Sequence, residues 1–244
     1  MTRRGCLISV EGIDGSGKSE QTRRLVGRLK KRGFKVLATR EPTKVYPAGK
    51  LLQRVLRGEL KVSEEAVALL FAADRVDHTL RRIRPALEDG AVVVSDRYVH
   101  SSLAYQGRGM AKELDLEWLR EINRFALEPD AVVFLDLPPE AALGRLHRGQ
   151  VRIEDHTYFD GLAQQHRIRE AYLEVLNLED RPFGEERSHV SVSGSSRVFR
   201  VDGSLTVEQV EREVWRRVKA LLGELGVAPG SQGSSFKPLS EFTG

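Results

Sequence analysis

The feature that most constrains this chain is a glycine-rich loop, GIDGSGKS, directly behind an apolar run near the N-terminus. Gly12, Gly17, Lys18 and Ser19 fit the spacing G-x-x-x-x-G-K-[ST], and an amphipathic segment follows them. A loop of this kind joins a buried strand to a helix, and its backbone N–H groups converge on an anion at the positive end of the helix dipole. The sequence therefore predicts a strand, a loop and a helix that together bind phosphate.

Short runs rich in β-branched residues alternate with longer amphipathic segments along most of the chain. This alternation is typical of a parallel sheet covered by helices on both faces. Two runs, AVVVSD and AVVFLD, are continuously apolar and end in aspartate, as expected of buried strands. Because open α/β sheets bind ligands beyond the carboxyl ends of their strands, we expect the site at that edge. Strands are predicted at residues 6–11, 35–39, 91–95, 131–135 and 197–201.

The other segments define the limits of the domain. Residues 64–88 form a helical pattern that we expect to break near Pro85, and residues 206–225 form a second helical pattern. Residues 181–196 are predicted to be an inserted loop or small hairpin. Residues 226–244 are rich in Gly, Ser and Pro without a period, which indicates a flexible tail. We therefore expect one domain over residues 1–225, followed by the tail.

The composition bears on the cellular location of the protein and on the kind of partner it binds. The only cysteine, Cys6, lies in an apolar run, which favours a reducing, cytoplasmic location. No run approaches the roughly 20 apolar residues of a membrane span, and no signal peptide is recognisable, so no membrane partner is expected. The net charge of +4 suits a nucleotide or a nucleic acid as partner and does not choose between them.

The glycine-rich loop by itself leaves three classes open: a kinase, a GTPase-type switch and an ATPase motor. Lys18 is expected at the β and γ phosphates, and the Ser19 hydroxyl is expected to ligate Mg²⁺. The sequence has no guanine-reading N-K-x-D segment, and motors are usually much larger chains, so a small-molecule kinase is favoured. The residues expected to bind ATP are Gly12, Ile13, Asp14, Gly15, Ser16, Gly17, Lys18 and Ser19.

Two further patterns carry residue types suited to a nucleotide. Phe71, Asp74, Arg75 and His78 share one helix face, which puts an aromatic plane beside a guanidinium, as a nucleobase requires. A stripe of this kind also fits a helix packed into a core. In SDRY, Asp96 and Arg97 directly follow a buried strand, where they suit a metal and a phosphate or form an ion pair that closes the strand.

Together these motifs resemble the thymidylate kinase family of P-loop nucleoside monophosphate kinases. The segments that carry the resemblance span roughly residues 6–180 and are EGIDGSGKS, TREP, LLFAADR, DRYVHSSLAYQG, PDAVVFLDLPPE and RIED. The resemblance implies an α/β, three-layer P-loop NTPase fold with a five-stranded parallel sheet, helices on both faces and a lid. It also implies a homodimer that transfers the γ-phosphoryl group of ATP to dTMP with Mg²⁺ and binds no nucleic acid.

The resemblance also implies roles for individual residues. Phe71 stacks on thymine and Arg75 hydrogen-bonds the edge of the base, whereas Arg97 binds the acceptor phosphate. Asp14 lies near the acceptor's 3′-hydroxyl and phosphate, and Asp96 joins Ser19 at the metal. The other residues expected at the base and sugar are Ser102, Tyr105 and Gln106.

The stretch LHRGQVRIEDHTYF resembles the family's mobile lid, over about residues 145–157. The family carries its catalytic arginine either in the phosphate loop or in the lid. Residues 13–16 contain no arginine, so the lid is expected to supply it as Arg148 or Arg152, and the sequence does not decide between them. A solvated basic loop is the alternative.

Two other functions stay open on the sequence. One is a P-loop kinase for another acceptor, such as dUMP or a deoxynucleoside. The other is a regulatory protein that binds nucleotide without catalysis. The complete set of charged groups at the expected site argues against the regulatory protein, whereas the pocket of Ser102 and Tyr105 bears on the choice of acceptor without deciding it.

Overall fold

The computed structural model of this chain describes residues 5–109, 112–147, 161–178, 183, 186–190 and 195–230. In it six strands form one sheet in the order β2-β3-β1-β4-β6-β5. The strands are β1 (Cys6–Glu11), β2 (Val36–Arg40), β3 (Val92–Asp96), β4 (Ala131–Asp136), β5 (Glu186–Val190) and β6 (Ser195–Asp202). The helices are α1 (Lys18–Lys31), α2 (Pro47–Leu56), α3 (Glu64–His78), α4 (Arg84–Glu88), α5 (Val99–Ala104), α6 (Leu116–Ile122), α7 (Pro139–His147), α8 (Leu162–Val175) and α9 (Val207–Glu224).

The predicted five-stranded parallel sheet is confirmed, with strand ends that differ from the prediction by up to two residues. β1 pairs in parallel with β3 and β4, β3 pairs with β2, and β4 pairs with β6. The additional strand, β5, is antiparallel to β6. It comes from the segment predicted to be a loop or small hairpin, so the hairpin alternative is the correct one.

The helices form a layer on each face of the sheet. On one face, α1 and α9 contribute leucines and valines to a core shared with β1, β3, β4 and β6. On the other face, residues of α2, α3 and α8 pack on Val132, Phe134 and Val198. β1 and β4 are buried along their whole length, as their continuously apolar sequences require. These layers bring the carboxyl ends of the central strands and the starts of the following helices to one edge.

The predicted break in the helical pattern of residues 64–88 takes the form of a π-helical turn over Thr79–Ile83. It ends just before the turn that contains Pro85, which lies at the start of α4. Proline lacks an N–H and its ring crowds the carbonyl four residues earlier, and a widened turn accommodates both. No helix of the described residues is long and apolar enough to cross a membrane.

Candidate active site

The glycine-rich loop joins β1 to α1 and closely approaches α7. Gly15 has φ +81°, and a Cβ on it would lie 2.4 Å from the carbonyl oxygen of Ala142. Gly12 has φ +147°, and a Cβ there would lie 2.7 Å from the carbonyl oxygen of Leu135. Because both positions combine a left-handed φ with a backbone contact, only glycine fits. The sequence therefore curls the loop back over the sheet edge and exposes its N–H groups to an anion.

Lys18 and Ser19 begin α1 at this edge. The Lys18 ammonium donates to the carbonyl of Ile13 at 2.7 Å and lies 3.8 Å from the Asp14 carboxylate. Burial, together with the nearby Arg97, lowers the pKa of Lys18 to about 8, although the carboxylates around it act in the opposite direction. Its charge is thus poorly solvated, so an incoming phosphate gains a strong electrostatic partner.

The Ser19 hydroxyl donates to Oδ2 of Asp96 at 2.6 Å. A hydroxyl and a carboxylate oxygen this close are hard donors of the kind that Mg²⁺ takes from protein while it keeps waters and substrate phosphates. No cluster of three or more His, Cys, Asp or Glu side chains suited to a metal occurs within the described ranges. The pair therefore fits a magnesium ion that arrives with a nucleotide, and does not fit a cage made by protein alone.

Arg97 follows β3 with a left-handed φ of 69°. Its Nη2 donates to the Asp14 carboxylate and to the Tyr105 hydroxyl, the latter at 3.1 Å. The guanidinium lies 4.7 Å from the centre of the Tyr105 ring, and its Nη1 donates to Ser101 at 3.3 Å. The structure thus brings together three predicted site residues from two separate motifs, and it holds the guanidinium beside the phosphate loop with 16% of the side chain exposed.

Glu11, the last residue of β1, is a site residue to which sequence reasoning gave no role. Its carboxylate accepts hydrogen bonds from the Tyr98 backbone N–H at 2.8 Å, the Ser101 hydroxyl at 2.6 Å and the Tyr172 hydroxyl at 3.1 Å. Burial raises the pKa of Glu11 to about 7, although the Ser101 hydrogen bond and Arg97 lower it. Glu11 therefore fixes the backbone and the hydroxyls behind Arg97.

The residues of the helix face predicted to bind a base have different surroundings in the structure. Phe71 is half-buried against the core that contains Tyr105 and Tyr172. Arg75 is only 2% exposed, and its Nε donates to Glu41 at 2.7 Å. Burial alone would raise the pKa of Glu41, but Arg75 and His78 lower it by more. Arg75 is thus part of a buried ionic network and presents little surface.

Asp74 and His78, the other members of that face, bind neighbouring protein segments. Asp74 accepts from the Thr43 backbone N–H at 2.6 Å, and burial raises the pKa of its carboxyl to about 6. The His78 ring bonds Thr39 at 2.6 Å and Glu41 at 2.9 Å. Both side chains therefore fasten α3 to the end of β2 and the loop after it.

Among the buried polar side-chain atoms that have no hydrogen-bond partner in the described residues, three belong to the phosphate loop, to α2 and to the turn after α5. They are Ser16 Oγ, Gln53 Nε2 and Gln106 Oε1. Buried polar atoms are normally paired, so an unpaired group beside a cleft points to a ligand. Gln106 was predicted at the base and sugar, and the structure places it in the turn after Ser102 and Tyr105.

A pocket beside the phosphate loop was missed by sequence reasoning. It is lined by Gly17 and Gln21 from the loop and α1, by Arg145 of α7, and by Gly203 and Leu205 before α9. Arg145 Nη2 donates to the Gly203 carbonyl at 2.8 Å. The pocket combines apolar and guanidinium surfaces next to the phosphate site, as a flat heterocycle requires. Arg148 and Arg152, the predicted lid arginines, lie outside the described residues.

Comparisons with known proteins agree with this geometry. A family model described as thymidylate kinase matches residues 10–188. A probable thymidylate kinase from Thermococcus kodakarensis is 41% identical over 226 residues, which cover 89% of this chain and 99% of that protein. Thymidylate kinases from Halothermothrix orenii and Symbiobacterium thermophilum are 36% and 40% identical, over 90% and 88% of this chain and 99% and 94% of their own lengths.

Proposed function

Because this chain belongs to the thymidylate kinase family and is a phosphotransferase that phosphorylates dTMP with ATP, we propose how its residues divide that reaction. The observation that carries the proposal is the convergence of Lys18, Ser19 and Arg97 at one sheet edge, each held by a carboxylate or a carbonyl. Two cationic side chains and a metal-binding pair at one edge suit the transfer of a phosphoryl group between two phosphates.

On the donor side, the phosphate loop holds the ATP phosphates through its backbone N–H groups and Lys18. The adenine ring lies in the pocket beside Gly17, where Arg145 and Leu205 offer a planar and an apolar surface. Ser19 and Asp96 hold Mg²⁺, which, when bound, offsets the charge on the phosphate oxygens. The donor phosphates are therefore fixed at the start of α1.

On the acceptor side, Arg97 binds the dTMP phosphate with its fork of N–H donors. Asp14, which already orients Arg97, accepts from the sugar hydroxyl in this proposal. Phe71 supplies the stacking surface for thymine, and Arg75 donates to the edge of the base. The unpaired Gln106 carbonyl oxygen, in the turn after Ser102, completes the polar part of this pocket.

The reaction then needs no covalent intermediate with the protein. An oxygen of the dTMP phosphate attacks the γ-phosphorus of ATP in line, the bond to the β-phosphate oxygen breaks, and ADP leaves. Lys18, Arg97 and a lid arginine, Arg148 or Arg152, offset the charge that accumulates on the transferring group. Catalysis is therefore mainly a matter of positioning and electrostatics.

The direct test is ADP release from ATP by the purified protein, with dTMP, dUMP, UMP, dCMP, AMP or no acceptor. We expect the highest kcat/KM with dTMP, and loss of turnover when EDTA removes Mg²⁺. Strongest turnover with another monophosphate would contradict the base pocket assigned to Phe71 and Arg75. ATP binding without turnover on any acceptor would contradict the catalytic assignment as a whole.

We also propose that the chain is a homodimer that associates through α2 and α3. These helices pack on each other and carry two exposed leucines, Leu51 at 37% and Leu69 at 49% exposure. Light scattering is expected to give about twice the chain mass of 27.4 kDa, and Leu69→Glu is expected to give the monomer mass. Leu225→Glu, at the end of α9 and on the opposite face of the sheet, is the control. A monomeric wild-type protein would refute the proposal.

A further inference from the structure

Arg75 is held by acceptors from three separate parts of the chain. Its Nε donates to Glu41, which follows β2, and its Nη2 donates to the Ser102 hydroxyl in α5 at 2.9 Å. Its Nη1 donates to the side-chain oxygen of Asn123, the residue that ends α6. A guanidinium with a hydrogen-bond partner on each of its three nitrogens cannot rotate freely. The direction of any remaining N–H group is therefore set by these partners.

Asn123 is itself fixed. It is only 2% exposed, and its Nδ2 donates to the Leu119 carbonyl at 2.8 Å. Its backbone N–H donates to the Arg120 carbonyl at 3.1 Å. Because the amide nitrogen is committed to the helix end, the amide oxygen must face Arg75. No motif in the sequence marks this residue.

The hydrogen bonds of Arg75 leave one N–H group on Nη1 without a partner among the described residues. Nη2 uses its second N–H on the Tyr98 carbonyl at 3.5 Å, so the uncommitted donor lies on the same nitrogen that Asn123 holds. An acceptor on one N–H of a planar nitrogen fixes the direction of the other. Asn123 is thus the partner on the nitrogen that carries the remaining donor, and it sets the direction of that N–H together with Glu41 and Ser102.

We propose that Asn123 is a positioning residue that sets base selectivity by holding Arg75 so that its free N–H meets a carbonyl oxygen on the acceptor base. A base with a carbonyl at that edge gains a charge-assisted hydrogen bond, whereas a base with an amino group there places two donors against each other. The proposal rests on the proposed role of Arg75 in the dTMP pocket.

The test compares kcat/KM for dTMP with kcat/KM for dCMP in three proteins: wild type, Asn123→Leu and Asn123→Asp. Asn123→Leu removes the acceptor for Nη1 in a similar volume, and we expect the dTMP to dCMP ratio to fall about tenfold or more. We expect this fall to come chiefly from a higher KM for dTMP, with the KM for ATP unchanged. Asn123→Asp keeps an oxygen facing Arg75, so its ratio is expected to stay near that of wild type.

Both substitutions remove the hydrogen bond to the Leu119 carbonyl, so both are expected to lower the thermal unfolding midpoint. If Asn123 contributed to stability alone, the dTMP to dCMP ratio would fall equally in the two variants or would fall in neither. Either result overturns the proposal. Ser196→Ala, which loses a partly buried 2.6 Å hydrogen bond to Glu128, is the control and should keep the wild-type ratio.

Should Asn123→Leu not fold, Asn123→Ala replaces it, with the same expected fall and the same overturning result. Failure of the proposed function is distinguishable, because wild type itself would then not favour dTMP. A wild-type preference for dTMP that both the leucine and alanine variants retain would reject the role of Asn123 alone.

Discussion

Replacing Lys18 by alanine is expected to lower kcat with dTMP by about 10³-fold, since one preorganised charge aimed at the transferring group contributes on that order. The fold should persist, because within the described part of the chain the ammonium has two polar contacts, with the Ile13 carbonyl and the Asp14 carboxylate. Removing a buried cation whose pKa is lowered also removes an unfavourable burial, so the unfolding midpoint should not fall. The measurement is steady-state ADP release beside a thermal melt.

Lys35→Ala provides the matched control. Lys35 precedes β2 at the amino end of the strands, opposite the site, and pairs with Asp89 at 2.8 Å. The Lys35→Ala substitution removes the same charge and the same side chain. It is expected to leave kcat within about twofold of wild type, because a surface ion pair contributes little. A Lys18→Ala protein with near wild-type kcat would overturn the assignment of the phosphate loop.

Arg97→Ala is expected to reduce kcat/KM for dTMP by about 10²- to 10³-fold while the KM for ATP changes little. The guanidinium is the acceptor-side cation, and it is preorganised by Asp14, Tyr105 and Ser101. Arg97→Lys keeps the charge but loses the fork of donors, so it should recover only part of the loss. Initial rates over a grid of both substrate concentrations separate the two KM values.

The control for Arg97 is Arg81→Ala, which removes an arginine that is 66% exposed and pairs with Asp77 at 3.1 Å. Its kinetic constants should match those of wild type. An equal rise in the KM values for ATP and dTMP in Arg97→Ala would show that Arg97 does not distinguish the two sides. That result would contradict its assignment to the acceptor phosphate.

The phosphate loop could be predicted because its information is local. Gly12, Lys18 and Ser19 lie within the short segment 12–19, and the patterns of the flanking strand and helix are visible in the sequence. The position of Asp96 and Arg97 at the same edge could also be predicted from the sequence, since the carboxyl ends of parallel strands meet there. The hairpin of β5 and β6 was left open, because the segment 181–196 holds few large apolar residues, namely Phe183, Val190 and Val192.

Residues that act through long-range contacts could not be predicted. Asn123 meets Arg75 across 48 residues, and Tyr172 meets Glu11 across 161 residues. Neither contact has a spacing or a composition that marks it. The burial of Arg75 was likewise hidden, since a helix stripe looks the same whether it faces a ligand or a buried carboxylate such as Glu41. Only packing in three dimensions distinguishes these cases.

The strand order of the sheet also governs how the protein is made. β1 is synthesised first but lies between β3 and β4, so Cys6 pairs with Val92 and Ile8 with Ala131. While the ribosome is still making the first half of the chain, β1 lacks at least one of its neighbours, and pairing of such distant segments is slow. Because the phosphate loop follows β1, we expect it to become ordered only after that pairing. Nucleotide binding is then expected late in synthesis, after β4 has been made.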